Sequence, residues 1–157
     1  MSEVTLELVH AKQTELADLI KKLQQQATTA ITIVSLRAVE IELRPGERYA
    51  GAALDDDGRV THHVVLMSQR PDKRLGWKAA MAWAKDVGGD LPTRQEQSLL
   101  FANCKPHVKA DWHWSNEVYA DDNAYAWYWY CDFGNGNQCY IPQGYEGCAV
   151  AVRRVNP

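Results

Sequence analysis

The chain has 157 residues and a formal net charge of −3 at pH 7, which is enough for one domain with its own core and an appended segment. Its lysines and arginines are scattered, so we expect no nucleic acid partner, because phosphate backbones are bound by basic residues massed on one surface. No apolar run approaches the roughly 20 residues that cross a bilayer, and the N-terminus has neither a basic start nor an apolar signal core. We therefore expect a protein made in the cytoplasm, with no signal peptide and no membrane insertion.

Residues 1–30 predict an amphipathic helix with a heptad repeat, because apolar residues recur at alternating spacings of three and four. The pattern indicates a parallel coiled coil that makes the protein a homo-oligomer, with a trimer slightly favoured over a dimer. The alternative is a single helix that folds back on its own domain. The seam has Leu6, Gln13 and Ile20 at position a, and Val9, Leu16 and Leu23 at position d.

A second unit is predicted over residues 31–157, beginning where the helical period changes to alternation. The stretches ITIVSL and AVEIEL predict extended chain, with Val39, Ile41 and Leu43 on one face.

Residues 48–54 and 60–67 then predict a β-hairpin with the acidic turn DDDG between its strands. We interpret Asp55, Asp56 and Asp57 as turn residues rather than as ligands of a hard cation.

Two helices follow the hairpin. Residues 77–87 have helical spacing and end at Gly88 and Gly89, while Thr93 and Glu96 form a T-x-x-E capping box at the start of the next helix. Two helices and a run of short strands predict an α+β fold, with the helices packed on antiparallel sheets. The remaining predicted strands are residues 112–118, 124–133, 138–142 and 149–155.

The four cysteines are interpreted as free thiols, and we expect no metal and no cofactor. Cys131 and Cys139 flank the turn GNGN, where a disulfide across a hairpin is a geometric alternative. A zinc site of Cys104, His107 and His113 with a later cysteine lacks the usual paired ligand spacings. Small buried thiols and surface imidazoles are the simpler interpretation, and the fourth cysteine is Cys148.

Aromatic rings and amides are concentrated in the last third of the chain, a composition typical of a recognition surface. Neighbouring residues of a strand face opposite sides, so either Trp127 and Trp129 or Tyr128 and Tyr130 fill the core, and the other pair faces a ligand. The expected ligand-binding residues are Trp112, Trp114, Asn116, Tyr128, Tyr130, Asn135, Asn137, Gln138, Tyr140 and Tyr145.

Four stretches, GERYAG, GGDLPTRQEQSLLFAN, WHWSNE and EGCAVAVRRV, together resemble an uncharacterised domain family of tailed phages and prophages. That family looks like a relative of the C-type lectin-like fold, which also includes the variable proteins of diversity-generating retroelements. The resemblance covers residues 40–155 and implies a C-type lectin-like domain after the N-terminal helix. The calcium-binding motifs of sugar-binding lectins are missing, and a solvated loop explains the remaining candidate oxygen ligands equally well: Asn116, Glu117, Asp121, Asp122 and Asn123.

The fold hosts several functions, so the function has to be predicted from the site. We expect a non-catalytic phage protein that binds a bacterial surface glycan or protein, with the virion tail as its location. One alternative is a cytoplasmic phage protein that binds and inhibits a host protein. A second is an enzyme like the formylglycine-generating oxidases, which share the architecture and use a cysteine pair with copper.

Overall fold

A computed structural model of the chain describes residues 5–27, 39–122, 124–130 and 136–157, and the side chains of 25–27 and 128–130 lie outside that description. The chain divides into two compact units, residues 1–36 and residues 37–157. The described residues form three α-helices and six β-strands in two antiparallel sheets, so the fold is α+β as predicted. None of the described helices has both the length and the apolar character needed to span a membrane.

The first unit contains helix α1, Leu6–Ala27, which confirms the predicted N-terminal helix. Oγ1 of Thr5 accepts a hydrogen bond from the backbone N–H of Leu8 at 3.4 Å, as an N-cap side chain does. The seam is exposed along the helix, from Leu6 at 77% to Leu23 at 63%. The helix therefore carries an exposed stripe of apolar side chains that is interrupted by Gln13.

The first sheet is built on the predicted hairpin. Strand β1, Arg48–Leu54, pairs with β2, Val60–Leu66, and β2 pairs on its other side with the last strand, β6, Val152–Val155. In the turn, Oδ1 of Asp55 accepts hydrogen bonds from the backbone N–H groups of Asp57 and Arg59 at 3.0 and 2.8 Å. The predicted role in turn geometry is therefore confirmed for Asp55.

Helices α2, Trp77–Asp86, and α3, Arg94–Cys104, follow the sheet in sequence. After α2, Gly88 takes the left-handed conformation with φ of 83°, which ends the helix as predicted. The capping box at Thr93 and Glu96 is confirmed, with both reciprocal hydrogen bonds present. The buried side of α3 packs against the first sheet through Leu100 and Cys104.

The second sheet consists of β3, Trp112–Val118, β4, Tyr125–Tyr130, and β5, Gln138–Pro142, in that order. A short 3₁₀ helix, Lys105–His107, connects α3 to this sheet. Strand β4 lies within the predicted strand 124–133, whose residues 131–133 are outside the described part.

Residues 147–151 join the two sheets. Cys148 exchanges backbone hydrogen bonds with Trp112 and Trp114 of β3, while the carbonyl of Ala151 accepts one from the N–H of Met67. One apolar cluster lies between the first sheet and α3, and a second lies between α2 and β3–β4. Ala149 to Ala151 are buried but lie outside the ladder between β2 and β6, so β6 is shorter than the predicted strand 149–155.

Three ion pairs connect β6 to the rest of the described domain, one made by Arg153 and two by Arg154, whose second partner is Asp90 at 3.0 Å. Arg153 bonds to Glu47 at 2.7 Å, and Arg154 bonds to Glu96 at 2.6 Å. Burial alone would raise the pKa of the Glu96 carboxyl, but hydrogen bonds from Arg154, Thr93 and His62 lower it overall. The carboxylate is therefore ionised inside the domain.

Residues 39–44, which include the described part of the predicted extended stretch AVEIEL, pair with no strand of either sheet. Their backbone groups bond to side chains instead: the N–H of Arg44 donates to Glu47, and the carbonyl of Glu42 accepts from Arg153. Val39, Ile41 and Leu43 share one face as predicted, because their side chains line the same depression. The stretch ITIVSL lies outside the described residues.

Candidate functional site

The described aromatic residues fall into two groups, one buried and one facing solvent. Trp114 belongs to the first group, which corrects its assignment as a ligand-binding residue. It is 0% exposed, and its indole N–H donates to the carbonyl of Leu75 at 2.7 Å. A buried ring whose polar atom is already satisfied is part of the core.

Trp112 lies at the edge of the same cluster and is half-buried. Its ring makes an edge-to-face contact with Trp114 at 5.1 Å between centroids, and the Arg74 guanidinium lies 5.9 Å from its centroid. The backbone of Gly147 packs directly against the ring. These contacts give Trp112 a packing role.

The solvent-facing group lies on one side of the second sheet, and we call Tyr119, Tyr125, Trp127 and Tyr140 the aromatic patch. Trp127 of β4 is directly opposite Tyr140 of β5, so both side chains share one face. Tyr140 is 41% exposed, and the other three rings are half-buried. The neighbouring Ala126 is fully buried, which identifies the other face of β4 as the core face.

The rings of the aromatic patch are held by contacts with one another. Tyr119 and Tyr140 stack in parallel with centroids 3.9 Å apart. Trp127 approaches Tyr140 edge to face at 5.5 Å and Tyr119 at 5.8 Å, and Tyr125 approaches Tyr140 at 6.0 Å. The group therefore presents a surface of fixed shape.

Arg94 and Gln138 border the aromatic patch. The Arg94 guanidinium lies 3.6 Å from the centroid of the Trp127 ring, a cation–π contact, and its Nε donates to Oε1 of Gln138 at 3.2 Å. Nε2 of Gln138 donates to the Arg94 carbonyl at 2.6 Å and to Oε1 of the buried Gln97 at 3.4 Å. Gln138, one of the expected ligand residues, is thus fixed by hydrogen bonds beside the rings.

The hydroxyl of Tyr119 stays protonated at neutral pH. Hydrogen bonds to Asp121 and then to Tyr140 raise the pKa of Tyr119 to about 12. The patch therefore offers a neutral phenol and the Asp121 carboxylate at one edge, and the Arg94 cation at another. It can contact a ligand through ring faces and directional polar groups at once.

The other expected ligand residues are placed as follows. Tyr145 is 57% exposed and Asn137 is exposed, whereas Asn116 is half-buried and its backbone N–H donates to the carbonyl of Pro92. Asn135 and the side chains of Tyr128 and Tyr130 lie outside the described part.

Four residues of this surface are absent from the expected ligand-binding set: Tyr119, Tyr125, Trp127 and Arg94. The sequence leaves Trp127 as one of two alternatives for the ligand-facing side of β4. No sequence pattern points to Arg94, because its contact with Trp127 depends on how α3 packs against the second sheet. The burial of Ala126 is the observation that distinguishes the two faces of β4.

Among the described residues, no group of three or more His, Cys, Asp or Glu side chains is placed to hold a metal ion. Of the described cysteines, Cys104 is buried, Cys148 is half-buried and Cys139 is exposed, and all three are free thiols. Cys131 and Asn123, which belong to the predicted alternatives, lie outside the described residues. Burial raises the pKa of Cys104, as expected for an inert thiol in a core.

No protein-family model matches the chain, and a search of curated proteins found no similar sequence.

Proposed function

We propose that the chain is a non-catalytic ligand-binding protein of a phage or prophage, with a C-type lectin-like head that recognises a bacterial surface glycan or protein. The observation that carries the proposal is the aromatic patch, four contacting rings on the solvent-facing side of the second sheet. The resemblance of four sequence stretches to a phage domain family supports the source and the lectin-like architecture.

The composition of the patch suits recognition. Tyr, Trp and Arg are the residues that contribute most to binding energy at interfaces, because they combine a large contact area with directional polar atoms. The stacked pair of Tyr119 and Tyr140 and the contact of Arg94 with Trp127 hold these side chains before any ligand arrives. Such preorganisation lowers the entropic cost of association.

A cell-binding assay with two matched variants tests this role. Tyr140→Ala truncates an exposed ring of the aromatic patch, and Tyr49→Ala truncates a ring of similar exposure on the first sheet, 41% against 43%. The fluorescently labelled protein is incubated with a panel of bacterial strains and bound label is measured by flow cytometry. Loss of a central interface ring costs about 2 kcal/mol, so we expect roughly 30-fold weaker staining by Tyr140→Ala and unchanged staining by Tyr49→Ala.

Circular dichroism of both variants controls for folding. Equal staining by the two variants would contradict recognition through the aromatic patch.

The assay also separates the alternative of a cytoplasmic inhibitor. That hypothesis expects no staining of intact cells, and capture of a host cytoplasmic protein that is lost with Tyr140→Ala. Mass spectrometry of purified phage particles adds an independent check, since a tail protein is found in the particle and an inhibitor only in infected cells.

We propose further that α1 assembles the heads into a homo-oligomer, a trimer rather than a dimer. The exposed seam supports this, together with Leu19 at 51% exposure, because a wide apolar stripe favours more than two helices. Several heads on one stalk would add weak contacts by avidity.

Light scattering on the full chain measures the oligomer directly. We expect about three times the chain mass of 17.7 kDa for the unmodified protein. Leu16→Glu with Ile20→Glu places charges in the seam and is expected to give the mass of one chain, whereas Lys21→Glu, outside the seam, leaves the oligomer intact. A single-chain mass for the unmodified protein would contradict the proposal.

A further inference from the structure

A second surface of the domain, separate from the aromatic patch, is a basic cleft of about 170 Å³. Four of its lining residues are cationic: Arg70, Lys73, Arg74 and Lys109. Asp72 is the acidic residue of the lining, and Cys148 and His113 are also part of it. The cleft shares no residue with the aromatic patch.

The charges of the cleft are unbalanced. Arg74 bonds to Oδ2 of Asp111 at 2.5 Å, and Nζ of Lys109 lies 3.6 Å from the same oxygen, so one carboxylate serves two cations. The other oxygen of Asp111 accepts from the backbone N–H of Trp112 at 2.9 Å. Four cations against the carboxylates of Asp111 and Asp72 leave two positive charges over.

Arg70 is held in place by neutral acceptors. Its Nη1 donates to the carbonyls of Met67 and Gln69, both at 2.6 Å, and its Nη2 donates to the carbonyl of His107 at 3.1 Å. These contacts orient the guanidinium but bring no compensating charge. In the part of the chain that the structure describes, neither Arg70 nor Lys73 forms an ion pair.

His113 and Cys148, two neutral residues of the cleft lining, bring hydrogen-bonding groups but no charge. His113 is 1% exposed, and its Nδ1 donates to the carbonyl of Asp111 at 2.9 Å. Burial lowers the pKa of His113 to about 4, so the ring is neutral at pH 7. Burial and the neighbouring Asp111 raise the pKa of Cys148, which stays a protonated thiol.

We propose that this cleft binds a phosphate group. A phosphate monoester carries about −1.5 to −2 charges at pH 7, which matches the two uncompensated positive charges, whereas a carboxylate supplies only one. Guanidinium and ammonium groups are the usual phosphate-binding side chains, and their hydrogen bonds to phosphate oxygens are charge-assisted. Since small-molecule pockets usually exceed about 300 Å³, the cleft holds the phosphate itself and leaves the rest of a ligand in solvent.

NMR titration of the ¹⁵N-labelled full chain tests the proposal, with inorganic phosphate as the probe and sodium chloride at equal ionic strength as the reference. We expect saturable shifts of the amides of Arg70, Lys73 and Lys109 at about 1 mM phosphate. Ribose 5-phosphate distinguishes the source: equal or tighter binding indicates a phosphate monoester, and binding of inorganic phosphate alone indicates the free ion.

Variants of exposed lysines provide the matched control. Lys73→Gln with Lys109→Gln removes two of the four cleft cations and should weaken phosphate binding about tenfold, because exposed charges contribute modestly to the attraction of an anion. Lys78→Gln, an exposed lysine on α2 outside the cleft, should leave the affinity unchanged. Shifts that do not saturate, acetate binding as tight as phosphate, or equal weakening by Lys78→Gln would each overturn the proposal.

Discussion

The buried imidazole of His113 makes the stability of the domain depend on pH in a specific window. Burial lowers its pKa from an ordinary value of 6.5 to about 4. Between these values the unfolded chain binds a proton that the folded chain excludes, so the folded state is stabilised above pH 6.5 and loses stability as the pH falls towards 4. For one group with these pKa values, the loss between pH 6.5 and pH 4.5 is about 2 kcal/mol.

His113→Asn isolates this contribution, since Asn does not titrate but keeps an amide donor for the carbonyl of Asp111. The assay is urea unfolding of the unmodified protein and of the variant at pH 6.5, 5.5 and 4.5. The variant should be less stable at pH 6.5, because a smaller side chain leaves a cavity, but should lose about 2 kcal/mol less on going to pH 4.5. The pKa values of the Glu47 and Asp111 carboxyls are lowered, so these groups titrate below the window.

Parallel losses in the two proteins would refute the reasoning. They would mean that the His113 ring accepts a proton in the folded state as readily as in the unfolded chain.

Two further predictions concern packing and charge in the core. Gly147→Ala is expected to destabilise the domain by about 1–3 kcal/mol, because a Cβ there would overlap the ring of Trp112. Gly144→Ala is the control and should be neutral, because its Cβ meets nothing within 4 Å. Equal thermal unfolding of the two variants would contradict this prediction. Glu96→Gln should cost about 1–3 kcal/mol in urea unfolding, because Arg154 loses its buried carboxylate and keeps only Asp90 as a partner. A loss below about 1 kcal/mol would show that the Glu96–Arg154 ion pair contributes little.

Local chemistry made much of the fold predictable. The capping box at Thr93 and Glu96 and the acidic turn after β1 are each specified within a few residues, and both occur where predicted. The heptad pattern likewise predicted α1, since helical spacing is a local property. The alternation of residues 39–43 predicted a shared face for Val39, Ile41 and Leu43, which line one depression. Whether such a segment joins a sheet depends on a neighbouring strand, and that partner is a tertiary feature.

The candidate site was predictable only in outline. Concentration of aromatic residues in the last third indicated a surface there, and Tyr140 lies in the aromatic patch. The burial of Trp114 could not be foreseen, because the acceptor for its indole N–H is the carbonyl of Leu75, far away in sequence. Which face of β4 is exposed also depends on tertiary packing. Ala126 is buried because α2 and residues 149–151 cover that face of the strand.

The pairing of β2 with β6 has a consequence for how the domain assembles. His63 is directly opposite Val155, so the first sheet gains its third strand only after nearly the whole domain has been synthesised. Contacts this distant in sequence close long loops and slow folding. During translation the β2 edge of the nascent hairpin stays unpaired until β6 is made, and for that interval it is exposed to pairing with other chains.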